Sequence, residues 1–243
     1  AESGSTLIPV ACSWPADLET PLTTWLKVGD QRPPGVLLES VEGGETLGRW
    51  SVVACDPLWT LSARRDGLER TWRDSHRETF SGNPFDCLRS CLDPYKPATL
   101  PGLPPLGQLY GMWGYELIRW IEPSVPVHPP SSDAPPDGLW MLMDSILIFD
   151  QVKRLITAVA YGDLSGQRNA ASSPEEAWEG AMARINSLRE RMAEPLPPVR
   201  PLNWRPDRGA APTTTSNRTP EDFHQAVDQA RDHIAAGDAF QLV

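Results

Sequence analysis

The chain has 243 residues, enough for one large domain or two small ones. At 40% hydrophobic and 22% charged it has the composition of a folded globular protein, and no apolar run approaches the ~18 residues of a membrane span. Acidic side chains outnumber basic ones by 32 to 22, for a formal net charge of −10, and the basic residues are scattered, which argues against a nucleic-acid-binding face.

The first residues, AESGSTLIPVACSW, lack the basic start and apolar core of a secretory signal. Cys12, Cys55, Cys87 and Cys91 read as reduced cytosolic thiols, and with the four histidines they do not make the ligand spacing of a zinc site. Leu18, Leu22, Trp25 and Leu26 are spaced as one face of a short amphipathic helix. Asp30 to Gly35 is a loop. Val36–Glu39 and Trp50–Cys55 are short β-prone runs bounded by turn residues, and read as two adjacent strands joined through a turn at Glu42-Gly43-Gly44-Glu45. Their connection gathers Glu39, Ser40, Arg49 and Trp50: a carboxylate, a hydroxyl, a guanidinium and an indole. Such a set suits a small zwitterion, with Glu39 taking an ammonium group, Arg49 a carboxylate through its two-pronged donors, and Ser40 either end. The same residues also describe an ordinary hairpin with a polar rim, and both readings stand at this point.

Trp59–Ala63 is a third strand, Arg65-Asp66-Gly67 is a tight-turn signal and Leu68–Trp72 pairs back, so this part of the chain reads as an antiparallel meander. Asn83-Pro84 opens a helix with Phe85, Leu88 and Leu92 on its inner side. After the proline-rich connector Asp93 to Pro105, the stretch containing Gly107, Gly111 and Gly114 reads as a strand under close backbone approach. Tyr115 to Glu122 reads as a helix with Leu117, Ile118 and Ile121 inward, stopped by Pro123. Gly111-Met112-Trp113-Gly114 lacks the Lys and Ser/Thr of a phosphate loop and is assigned to packing.

Beyond a second proline-rich loop, Leu139–Met143 and Ser145–Phe149 form one long strand or two. Asp150-Gln151-Val152-Lys153 then turns the chain and Leu155–Tyr161 returns. Ser173 and Glu176 make a capping box, followed by Trp178, Ala181, Ile185, Leu188 and Met192 at helical spacing. Pro195 to Ser216, rich in proline and carrying a threonine run, is the best boundary. Thr219-Pro220-Glu221-Asp222 opens a last helix with Phe223, Ala226, Val227, Ala230 and Ile234 on one face, ended by Gly237. Asp238–Val243 reads as the beginning of a strand, so a second domain is expected to start near Thr219 and to continue past Val243. The expected fold class is α+β, with antiparallel, sandwich-like β-sheets and flanking helices. Residues 1–200 form an amino-terminal domain, 201–218 a Pro/Thr-rich linker, and 219–243 the start of a second domain.

Several stretches recur in one order: Leu37-Leu38-Glu39-Ser40-Val41-Glu42-Gly43-Gly44-Glu45; Gly48-Arg49-Trp50-Ser51 with Asp56-Pro57; Gly111-Met112-Trp113-Gly114-Tyr115-Glu116-Leu117-Ile118-Arg119; Phe149-Asp150-Gln151-Val152-Lys153; and Ile234-Ala235-Ala236-Gly237-Asp238-Ala239-Phe240-Gln241. Together they resemble the amino-terminal half of anthranilate synthase component I, a chorismate-utilising family that includes aminodeoxychorismate synthase component I. The resemblance implies an enzyme making anthranilate from chorismate and ammonia, with a glutamine amidotransferase subunit (component II) as partner and Mg²⁺ holding the substrate's carboxylate. It implies that the amino-terminal domain is regulatory and binds L-tryptophan. Ser40 and Glu39 would contact the amino acid's ammonium or backbone groups, Leu38 would border its ring pocket, and Arg49 and Trp50 would sit close by. The family's chorismate site, Mg²⁺-binding glutamates and acid–base groups lie in its carboxy-terminal half. None of those motifs occurs before Val243, so no catalytic residue is assigned here. The rival readings are the aminodeoxychorismate enzyme, a stand-alone amino-acid-binding regulatory module, and an unrelated antiparallel scaffold.

Overall fold

A computed structural model of the chain describes residues 4–29, 34–39, 48–65, 67–103, 108–126, 134–198 and 215–243. These fall into two compact units, Ala1–Val199 and Arg200–Val243. Ser40, the Gly43-Gly44 turn, Asp66, Gly107 and most of the expected linker lie outside the described residues.

The first unit carries the strands β1 (Leu7–Pro15), β2 (Gly35–Leu38), β3 (Trp50–Cys55), β4 (Trp59–Arg64), β5 (Gly67–Trp72), β6 (Arg77–Phe80), β7 (Leu109–Trp113), β8 (Gly138–Leu142), β9 (Ser145–Asp150) and β10 (Leu155–Asp163). Its helices are α1 (Pro21–Val28), α2 (Pro84–Leu92) and α3 (Pro174–Ala193). One five-stranded sheet runs β1-β10-β9-β3-β2 and the other β6-β5-β4-β8-β7, with every ladder antiparallel.

Strand alternation gives the first sheet two apolar faces. Ile146 and Ile148 of β9 join Trp59, Leu61 and Trp140 of the other sheet in one core. Leu147 and Phe149 point the other way, into a second core with Ile156, Ala181 and Ile185. Burial on both sides is why the β9 sequence reads as one continuous apolar run rather than an alternating one.

Pairing departs from the expected meander. β3 and β4 follow one another in the chain but belong to different sheets. Between them Asp56 adopts φ 59, and Pro57 has no N–H to continue a ladder. Likewise Leu139–Phe149 is two strands, β8 and β9, in different sheets. Strand β1, which the sequence reading does not contain, carries Pro9 and Pro15; it is an edge strand laddered to β10, where proline is tolerated, and Leu7 also bridges Pro97. β6 also went unread.

Helix details differ as well. Leu18 precedes α1 and is 95% exposed, because the helix starts only at Pro21, behind the Thr20 cap. Tyr115–Trp120 is a 3-10 helix: Leu117 is buried, but Ile121, four residues on, leaves that face in a three-residue turn and is exposed. At the start of α3, Ser173 Oγ accepts from Glu176 N, while the Glu176 carboxylate accepts from Ser172 N, one residue before the expected box partner. Ala177, not Trp178, occupies the first inner position of α3, and Trp178 is exposed.

In the second unit α4 (Pro220–Ala236) has a reciprocal Thr219–Asp222 cap and ends at Gly237, φ 84. Phe223, Val227 and Ile234 on its expected apolar face are exposed, because the described part of this unit contains no other element to cover them. Asp238–Val243 forms no strand.

Gly111 in β7 sits directly against backbone: a Cβ there would overlap the carbonyl oxygen of Leu139. Gly111→Ala is expected to cost at least about 2 kcal/mol, because a backbone atom cannot yield. Gly180→Ala in α3 meets nothing closer than 3.7 Å and is expected to stabilise by about 0.5–1 kcal/mol. Urea unfolding of the two variants checks both signs.

Candidate functional site

The polar rim expected from the sequence lies at one end of the edge strand β2. Antiparallel pairing runs from Gly35↔Cys55 to Leu38↔Val52. A Cβ at Gly35 would lie 2.8 Å from the Ala54 carbonyl oxygen and from the Trp25 indole, so glycine is what lets α1 seat its indole against the start of β2. Leu37 packs into the helix-side core, while Val36, Val52 and Trp50 pack into the core shared by the sheets. Alternation and register put Leu38 on the same face as Val36, Val52 and Trp50. Leu38 is 48% exposed, and Glu39 beside it is exposed. The structure thus brings Leu38, Glu39, Arg49 and Trp50 to one sheet end; Ser40 lies outside the described residues.

Arg49 is engaged within the protein. Its Nε donates to Asp150 Oδ1 at 3.0 Å and its Nη2 to Asp150 Oδ2 at 2.6 Å. The guanidinium also lies 4.5 Å from the centroid of the Trp50 ring, a stacking geometry. The two-pronged edge expected to hold a ligand carboxylate therefore holds Asp150, because the register places Asp150 directly opposite Trp50. Asp150 Oδ1 also accepts from the backbone N–H groups of Val152 and Lys153, both at 3.1 Å. The Arg49 hydrogen bond, above all, holds the Asp150 carboxyl below the usual carboxylate range; burial opposes this, and the two backbone donors and the Arg49 charge assist it. Sequence reading missed Asp150 as a partner. The available signal was an Asp opening a turn, where its side chain caps the following N–H groups.

A second polar cluster comes from segments far apart in the chain. Asp144 accepts from Arg73 Nη1 at 3.0 Å and Nη2 at 2.7 Å, and Arg184 Nε lies 3.5 Å from it. A cleft of about 160 Å³ adjoins Asp144, Asp163, Glu176 and Arg184. Nothing in the sequence pointed to this grouping. Among the described residues no group of three or more His, Cys, Asp or Glu side chains could hold a metal ion. The rim offers an apolar surface, an exposed carboxylate and a fixed guanidinium, which is chemistry for binding a small amphipathic molecule.

Comparison with known proteins agrees along the length of the chain. The family described as chorismate binding enzyme matches residues 50–243. Anthranilate synthase component 1 of Synechocystis sp. is 47% identical over 100% of this chain and 48% of its own length. The protein of the same name from Pseudomonas putida is 34% identical, with the same coverage. A crystal structure of anthranilate synthase component I from Streptococcus pneumoniae superposes with a TM-score of 0.51 at 23% identity, covering 91% of this chain and 45% of that one, a likeness of fold. The chain spans about half the length of the curated relatives it matches.

Because Asp150 has a lowered folded-state pKa, the stability it contributes is fully present above the unfolded carboxyl value of about 4 and is lost as pH falls through the folded value. Asp150→Asn is expected to lose about 1–3 kcal/mol at pH 7 and to lose less than the parent on acidification. Urea unfolding at pH 7 and at pH 3 makes the comparison.

Proposed function

This chain belongs to the chorismate binding enzyme family, and from that premise we propose that it is the amino-terminal part of an anthranilate synthase component I. The observation carrying this is identity of 47% over the whole chain with a relative of that name. The full-length enzyme takes chorismate, and ammonia released from glutamine by an amidotransferase subunit, and yields anthranilate and pyruvate. The bond-making steps belong to the part of the relatives' length that this chain does not span, as do the ligands of Mg²⁺. Residues 1–200 are the regulatory domain, 201–218 its linker, and 219–243 the start of the chorismate-binding domain. Four cysteines outside any disulfide support a cytoplasmic setting.

The regulatory ligand is L-tryptophan, held at the β2–β3 connection. Glu39 and Ser40 take its ammonium or backbone groups, Leu38 borders the indole, and Trp50 with Arg49 closes the protein side. Supporting this, the register sets Leu38 and Trp50 on one face with the exposed Glu39 carboxylate next to them. Given the Asp150 pair, Arg49 acts as a fixed platform rather than as the grip on the ligand's carboxylate. Inhibition follows if tryptophan binds better to a state with low chorismate affinity, since a ligand shifts an equilibrium only by its differential affinity. Among the described residues β2 is a four-residue strand paired to β3 alone, a short ladder of the kind that opens at low cost.

Three outcomes are expected of the full-length enzyme and its parts. With chorismate and glutamine the product is anthranilate, read by its fluorescence and by chromatography; an aminodeoxychorismate product overturns the assignment. Ser40→Arg and Glu39→Lys keep synthesis while raising the tryptophan concentration for half-inhibition at least tenfold; unchanged inhibition removes the site. Residues 1–243 alone form no anthranilate from chorismate and ammonia.

A further inference from the structure

A carboxylate at the end of β10 is buried with one oxygen unanswered. Asp163 is 8% exposed. Its Oδ1 accepts from Ser165 N at 2.8 Å, while Oδ2 is buried and has no hydrogen-bond partner among the described residues. A buried acceptor costs free energy until something donates to it, and a buried charge costs more. Asp163 lines the cleft of about 160 Å³ that also adjoins Asp144. Two sheets and a helix meet there. Leu58 follows the crossing from β3 to β4, Asp144 lies between β8 and β9, and Glu176, Ala177, Gly180 and Arg184 share one face of α3. On one side the walls are in contact: a Cβ at Gly162 would lie 2.9 Å from the Ala177 carbonyl oxygen, so β10 and α3 meet backbone to backbone. Gly180, one turn on, is the opposite case. A Cβ there meets nothing nearer than Arg184 Nη1, at 3.7 Å, and opens onto the cleft.

The charges of the lining decide what can enter. Asp144, Asp163 and Glu176 stand against one guanidinium, that of Arg184. Asp144 is answered: Arg73 donates to both of its oxygens, and Arg184 Nε lies 3.5 Å from Oδ2. Arg184 is engaged as well, since its Nη2 donates to Tyr161 O at 2.6 Å. Glu176 is exposed, and one of its oxygens accepts from Ser172 N. Asp163 is left, buried and with an acceptor open. An anion entering here would meet uncompensated carboxylates, whereas a cation is attracted. Among the described residues no group of carboxylates, His or Cys could hold a metal ion, so N–H donors rather than a coordinated ion suit Oδ2. Leu58, Ala171 and Ala177 add an apolar wall for a hydrocarbon stem. The stem must be short, because the volume is below the roughly 300 Å³ at which sites for drug-sized ligands begin. We propose that this cleft binds a small organic cation, a primary ammonium on a short aliphatic stem, whose N–H groups donate to Asp163 Oδ2. The bound cation joins α3 and the end of β10 to both sheet crossings, so it stabilises the fold by mass action.

Ethylammonium is the probe, titrated into the full-length protein and followed by ligand-observed NMR and by melting curves. Sodium and tetramethylammonium at equal ionic strength are the controls, since neither carries an N–H donor. For a probe of three heavy atoms a Kd of about 1 mM is expected, with a rise in melting temperature that neither control gives. Asp163→Asn keeps the size of the side chain and removes its charge; it is expected to raise Kd at least about tenfold. Gly180→Leu fills the cleft from a position with no backbone atom in the way, and is expected to abolish binding. No saturable binding of ethylammonium by the parent overturns the proposal and leaves the cleft to water. Equal binding of sodium or tetramethylammonium also overturns it, because attraction by net charge alone would explain the result. Unchanged binding in either folded variant places the probe elsewhere and overturns it too. Melting curves show which variants are folded. Should Asp163→Asn not fold, Gly180→Leu decides alone: loss of binding supports the cleft, and unchanged binding overturns it.

Discussion

Burial of β9 and β10 on both faces is the constraint the first unit is built around. Ile146, Ile148, Val159 and Tyr161 face the second sheet, while Leu147, Phe149, Ile156, Ala158 and Ala160 face the helices. A strand with two apolar faces has no solvent side, so layers must close over it from both directions. The second sheet supplies one layer; α1 and α3 supply the other. β1 and β2 are then the edge strands of the first sheet, and the rim of Leu38, Glu39, Arg49 and Trp50 lies at the end of β2.

Two crossings join the sheets, one at Asp56 between β3 and β4 and one at Asp144 between β8 and β9. A single side chain serves both. Arg73 donates to Asp144 through Nη1 and Nη2, and its Nη2 also donates to the Asp56 carbonyl oxygen at 2.5 Å. Taking one member from such a network leaves a partly buried charge or carbonyl without its partner, which costs more than the network contributes over an apolar replacement. The crossings matter for the site because β3 and β9, whose ends carry Arg49, Trp50 and Asp150, each begin or end at one of them.

The rim is therefore an edge feature referenced to a buried frame. Arg49 and Trp50 are set through β3, and β3 is set through β9 by the Trp50↔Asp150 pairing. Leu38 and Glu39 are set only through the short ladder between β2 and β3. The rim thus joins residues set by the sheet centre to residues set by a four-residue edge ladder.

Much of the local structure was legible. β2, β3, β4, β5, β7, β9 and β10 and all four helices follow from short-range rules: β-prone runs between turn residues, Asn83 and Ser173 ahead of prolines, Gly237 at a left-handed stop. These signals lie within a few residues of what they specify, so the chain by itself determined them, along with the clustering of Leu38, Glu39, Arg49 and Trp50 near one connection. Sheet membership, the crossings at Asp56 and Asp144, the edge strand β1 with its two prolines, and the exposure of Leu18, Ile121 and Trp178 were decided by tertiary structure. So was the partner of Arg49. Which carboxylate a guanidinium meets depends on strand register across a hundred residues, and register is chosen by burying two apolar faces at once, a condition that no local window contains.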